Sequence, residues 1–99
     1  MNIADVERNI DGAANLLKAL SNEKRLRIVC TLFDKEKSVS ELERVIGLSQ
    51  SALSQHLARL RRDGIVTTRR SAQTIYYSLQ DRATHSVLAC LHDIFCVGK

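Results

Sequence analysis

The sequence predicts a mainly helical domain carrying one β-hairpin, in the order helix, helix, helix, helix, strand, strand, helix, and three observations predict it. First, two short amphipathic helices stand back to back in mid-chain. Ser38-Val39-Ser40-Glu41 has the pattern of a capping box and opens a helix with Val39, Leu42, Val45 and Ile46 on one face, closing near Gly47. Leu53, Leu57 and Leu60 then fall at i, i+4 and i+7 and give the next helix its apolar stripe, with Ser49 as N-cap and Gly64 as the stop. Second, that helix has an unusual polar face. Its opening turns carry Ser51, Ser54 and Gln55 where a solvated helix carries Glu and Lys, and its bases, Arg59, Arg61 and Arg62, come late. Third, the period changes after Gly64: Ile65-Val66-Thr67-Thr68-Arg69-Arg70 and Gln73-Thr74-Ile75-Tyr76-Tyr77-Ser78-Leu79 are β-branched and aromatic, with Ile75, Tyr77 and Leu79 alternating.

The remaining elements follow in order. Residues from about Ala4 to Leu20 place Ala13, Leu16, Leu17 and Leu20 at helical spacing, with Asp5 and Glu7 near the start where the helix dipole favours acids, and predict a first helix. Ser21-Asn22-Glu23 caps a second, striped by Leu26, Val29, Cys30 and Phe33, with Lys24, Arg25 and Arg27 on its polar side and a charged Asp34-Lys35-Glu36-Lys37 turn at its end. The pair joined by Gly47-Leu48 reads as a helix-turn-helix, against the plainer alternative of a helical hairpin in a core. The hairpin reverses at Ser71-Ala72, a turn without Gly or Asn, and its position after the polar helix makes it a wing. Asp81 caps a last helix running to about Cys96 with Val87, Leu88, Leu91, Ile94 and Phe95 on a broad apolar face. So apolar a helix in so small a domain needs a partner, and the first helix with a symmetry mate supplies one: a homodimer through first and last helices is expected.

Residues 1–99 make one domain, a size at which burial by a lone subunit is incomplete. The net charge is +4, and between Arg44 and Arg82 seven bases (Arg44, Arg59, Arg61, Arg62, Arg69, Arg70, Arg82) face two acids (Asp63, Asp81), so the positive part of the chain is its middle. Short hydroxyl and amide groups suit base edges and phosphate oxygens, and arginines at a hairpin tip suit a phosphate backbone. Double-stranded DNA is the expected partner, with Ser49, Gln50, Ser51, Ser54, Gln55, His56, Arg59 and Arg62 of the helix and Arg69, Arg70 and Gln73 of the wing as candidate contacts. No apolar run is long enough to span a bilayer and Met1-Asn2-Ile3-Ala4-Asp5-Val6-Glu7 lacks the order of a signal peptide, so a cytoplasmic protein is expected. Three cysteines, an odd number, argue against a secreted disulfide framework.

Asn22-Glu23-Lys24-Arg25-Leu26, the run from Leu48 to Leu57, Leu60-Arg61-Arg62-Asp63-Gly64 and Gln73-Thr74-Ile75-Tyr76-Tyr77 together resemble the ArsR/SmtB family of dimeric winged-helix repressors, over nearly the whole chain. The resemblance implies a homodimer whose two polar helices lie in the major groove of an inverted-repeat operator, and release of DNA when an inducer binds or reacts.

Members of that family differ in their inducer. Where metal-sensing members carry Cys-Val-Cys this chain has Ser38-Val39-Ser40, and hydroxyls do not replace thiolates for a soft metal. At the other common site Asp81 is followed by Ala83 in place of the first His, with His85, His92 and Asp93 at different spacing. Asp81 and His85, like His92 and Cys96, are still one turn apart, which keeps a metal-responsive regulator as the alternative. Cys30 on the second helix and Cys96 at the end of the last resemble the sulfide- and persulfide-responsive branch, which implies a redox-sensing dithiol and a reactive sulfur species as inducer. Against this stands the plainer reading of Cys30 as a small core residue, and Cys90 is read as packing or interface. A thiol enzyme using His56, His85 or His92 lacks a phosphate loop, a metal motif and a third group to orient a Cys–His pair, so neither catalysis nor a cofactor is expected.

Overall fold

The structure, a computed structural model, describes residues 1–96. Its first departure from the sequence pattern comes early. The single helix expected from Ala4 to Leu20 is two, α1 (Ile3–Arg8) and α2 (Ile10–Leu20), broken at Asn9, whose φ of −120° and ψ of 14° leave the helical region. The Asn9 side chain donates to the Asp5 carbonyl at 3.0 Å and its backbone N–H to the Val6 carbonyl. An amide that bonds the preceding turn competes with the helical ladder, and here the competition ends the helix.

From Asn22 onward the caps are those the sequence announces. The Asn22 side chain accepts from the N–H groups of Lys24 and Arg25 to open α3 (Glu23–Thr31). Ser38 and Glu41 form a reciprocal capping box on α4 (Val39–Ile46), which ends at Gly47 with a left-handed φ of +77°. The backbone N–H of Ser38 lowers the Glu41 carboxyl pKa. Ser49 caps α5 (Gln50–Arg62) and Asp81 caps α6 (Arg82–Phe95).

The expected hairpin is present, one residue out of place. β2 (Val66–Ser71) and β3 (Thr74–Leu79) pair antiparallel with Ser71 opposite Thr74, so the reversal is Ala72-Gln73 and Gln73 belongs to the turn. Ala72 takes a φ of +56° there, a conformation that an L side chain disfavours. A further strand, β1 (Lys37–Ser38), pairs with β3, giving a three-stranded sheet in the order β1-β3-β2. The helix–helix–helix–helix–strand–strand–helix order is therefore corrected by one extra helix and one extra strand; two residues are too few to show a period.

The core lies under the helix-turn-helix. Ile28, Val29, Leu42, Leu53, Leu60 and Val66 are fully buried, and Leu57, Leu32, Ile65 and Leu88 nearly so. One expectation about faces needs correction, Val45 of α4 being exposed; Leu17 of α2 and Ile94 with Phe95 of α6 are exposed in the single subunit, as apolar faces that await a partner.

Candidate DNA-reading surface and dithiol

The Leu53-Leu57-Leu60 stripe turns inward, which carries Ser51, Ser54, Gln55 and Arg62 to the outer face of α5, all exposed. Ser49 and Gln50 are exposed at its start, but the Ser49 hydroxyl is occupied as the cap, accepting from the Ala52 N–H at 3.2 Å. Arg61 lies at the flank of this face, where with Ser54, Arg62 and Tyr77 it lines a groove of about 510 Å³ between the helix and the hairpin. The sequence candidates omitted Arg61; its place in the run Arg59-Leu60-Arg61-Arg62 was the available signal.

Two candidates of α5 sit apart from this face. His56 is half-buried, and burial, with the Arg25 guanidinium second, pushes its pKa down. Arg59 donates from Nε to Asp63 at 2.9 Å on the same flank. Arg25 itself is missing from the sequence candidates: it donates to the carbonyls of Ala19 and Lys18 at 2.7 and 3.2 Å and so closes the end of α2. Of the wing candidates Arg69, Arg70 and Gln73 are exposed, and Arg69 is ion-paired with Glu36.

Cys30, Cys90 and Cys96 are free and exposed. Exposure of Cys30 corrects its reading as a core residue: the buried side of α3 belongs to Ile28 and Val29. Cys30 borders a cleft of about 330 Å³ between α3 and α6 with Phe33, Leu88 and His92. Partial burial there pushes the Cys30 thiol up, with Cys96 as the second cause. Lys99, the base nearest Cys96 in sequence, lies outside the described residues.

Of the residues weighed as metal ligands, His85 and Asp81 are otherwise engaged. His85 sits between two carbonyl oxygens, with Nε2 3.2 Å from that of Phe33 and Nδ1 3.3 Å from that of Asp81, and its ring packs on Phe33 at 5.0 Å. The Asp81 carboxylate accepts from the Thr84 N–H. Among the described residues no group of three or more His, Cys, Asp or Glu is placed to hold a metal ion, and no helix is long and apolar enough to cross a membrane.

A helix-turn-helix whose second helix shows an exposed hydroxyl, amide and guanidinium face, followed by a sheet whose hairpin carries arginines, defines a winged helix-turn-helix DNA-binding regulator of transcription. Residues 22–68 match the family described as "Bacterial regulatory protein, arsR family". The chain is 51% identical to the transcriptional activator HlyU of Vibrio cholerae over 97% of its own length and 89% of that protein. Among solved structures it resembles reduced HlyU from Vibrio cholerae (TM-score 0.88, 51% identity, 93% of this chain and 97% of that one). It also resembles the transcriptional repressor BigR from Xylella fastidiosa (TM-score 0.92, 45% identity, 98% and 99%). The chain belongs to the ArsR family of bacterial regulatory proteins.

Proposed function

We propose that the chain is a homodimeric, cytoplasmic regulator that binds an inverted-repeat operator and lets go of it when Cys30 and Cys96 are joined through sulfur. The observation that supports this reading is the placement of Cys30, on α3 beneath the helix-turn-helix, at the rim of a cleft whose other wall is α6, the helix that ends at Cys96. Dimer formation is supported by the apolar side chains that α1, α2 and α6 leave uncovered, namely Ile3, Ile10, Leu17, Ile94 and Phe95. In such a dimer the two α5 helices enter successive major grooves about 34 Å apart. Ser51, Ser54 and Gln55 read base edges, Gln50 and Arg62 hold flanking phosphates, and a bridge between α3 and α6 changes the spacing of the two heads.

The chemistry is balanced as follows. A thiolate attacks the outer sulfur of a low-molecular-weight persulfide, taking that sulfur and expelling the donor as its thiol. Cys96, exposed at the end of α6, does this first, ahead of Cys30, whose burial pushes its thiol up. A second donor treats Cys30 in the same way, and one protein persulfide then attacks the inner sulfur of the other, forming a trisulfide and releasing hydrogen sulfide. Mass spectrometry after treatment of the reduced protein with a glutathione persulfide donor is expected to find a Cys30–Cys96 link one sulfur heavier than a disulfide, together with loss of operator binding. Unaltered release in Cys30→Ser and Cys96→Ser would reduce both cysteines to structural residues.

A further inference from the structure

Arg69 and Arg70 are neighbours on β2, yet their surroundings differ. The Arg69 guanidinium is committed on two sides. Its Nε donates to both carboxylate oxygens of Glu36 at 3.0 and 2.8 Å, its Nη2 also meets Glu36, and its Cζ lies 4.6 Å from the centre of the Tyr76 ring. A bidentate ion pair combined with a cation–π contact fixes a guanidinium in direction as well as place. Charge neutralisation matters too, for Arg69 brings Glu36 with it to any phosphate it approaches. Arg70 is exposed opposite Ile75, and among the described residues it has no ion-pair partner.

The partners of Arg69 lead away from the wing. Tyr76 is opposite Arg69 in the β2–β3 ladder and opposite Ser38 in the β1–β3 ladder, so Arg69, Tyr76 and Ser38 form one row across the sheet. Ser38 is the N-cap of α4, and Glu36 stands two residues before it. The row therefore runs from the free strand of the wing to the first helix of the helix-turn-helix. Without it, β2 is held to the helical body by Ile65 and Val66 at its far end and by its pairing with β3.

We propose that Arg69 is a positioning residue, a strut through Glu36 and Tyr76 that sets the angle of the wing to the helix-turn-helix, and that Arg70 makes the wing's phosphate contact. The proposal rests on duplex DNA binding, and the two are separated by the wild-type control: a protein that does not prefer a duplex selected from a random pool over the pool itself has lost the parent reading, whatever its variants do.

The test is one of sign. Glu36→Gln removes a negative charge beside the wing, so if Arg69 is a phosphate contact this change frees it, tightens binding to the selected duplex and steepens the salt dependence. As part of a strut, the same change loosens the wing and weakens binding several-fold with the salt slope unaltered. Arg69→Gln then costs about as much as Glu36→Gln, and the double variant costs no more than either alone. Arg70→Gln lowers the salt slope by about 0.9, the value of one phosphate contact. The exchanged pair Glu36→Arg with Arg69→Glu, which rebuilds the ion pair in reverse, recovers binding toward that of the wild type. Fluorescence anisotropy over a salt series reads all of these. Tighter or unchanged binding by Glu36→Gln, or an exchanged pair weaker than Arg69→Gln alone, overturns the strut.

Discussion

The centre of the chain and its two ends solve the burial problem differently. From α3 to β2 the apolar stripes turn onto one another, Val45 excepted, and Ile28, Val29, Leu42, Leu53 and Leu60 are withdrawn from water completely. At the ends, Ile3, Ile10, Leu17, Ile94 and Phe95 remain between 46% and 67% exposed, an apolar surface carried on the elements first and last in the chain. The centre is a finished core that presents polar groups outward; the ends are half of a core. A reading head must keep its shape with or without DNA, whereas ends completed by a second copy can be altered without dismantling that head.

The contrast is broken most severely from the centre. Leu53→Ala, at a fully buried site, is expected to cost about 2–5 kcal/mol, seen as a lower midpoint in urea unfolding, and most of a small domain's stability with it. Leu17→Asp combined with Phe95→Asp is expected to leave the far-ultraviolet circular dichroism of the subunit intact while sedimentation shows monomer and operator affinity collapses. A variant pair that remains dimeric would show that the ends are finished elsewhere. Thr84 sharpens the comparison, being the fully buried polar residue of α6, with a hydroxyl oxygen that has no hydrogen-bond partner among the described residues. Thr84→Val keeps its shape and is expected to raise stability by about 1 kcal/mol in the same urea titration. A smaller gain, about 0.5 kcal/mol, is expected from Ala72→Gly, since glycine takes the φ of +56° without strain but loses more chain entropy.

The smallest effect is one of pH. His56 has a pKa below its ordinary 6.5 because burial and Arg25 disfavour the cation. The folded state therefore binds its proton more weakly than the unfolded chain does. The stability tied to the neutral ring is full above 6.5 and is lost as pH falls through the lowered folded value. His56→Gln is expected to flatten that part of the thermal-denaturation profile.

What was legible in the sequence is what chemistry within one turn decides. Ser38 with Glu41, Ser49 with Gly64, and Asp81 each announce a boundary from side chains a few residues apart, and the leucine stripe of α5 assigns its outer face before any fold is known. The features that escaped depend on residues distant in the chain or on a local competition that periodicity does not see. Glu36 and Arg69 are 33 positions apart. Arg25 looks like a surface base until α2 turns its carbonyl end toward it. Asn9 lies in a stretch whose apolar spacing continues on both sides, and only the bond from its amide to Asp5 shows why the helix stops. Cys30 shares a stripe with Leu26 and Val29, and the packing of α6 against α3 decides that it faces a cleft instead of the core.

Cys30 also borders a second recess, formed with Leu26 and Arg27 of its own helix and Val45 and Ile46 of α4. It can thus be approached from two directions, along α6 and along the first helix of the helix-turn-helix. In the dimer proposed through α1, α2 and α6, the second recess, lined by α3 and α4, lies outside the covered elements. Assembly and chemical access would then be decoupled at this sulfur, and the rate at which Cys30 meets a small reagent is expected to be independent of protein concentration.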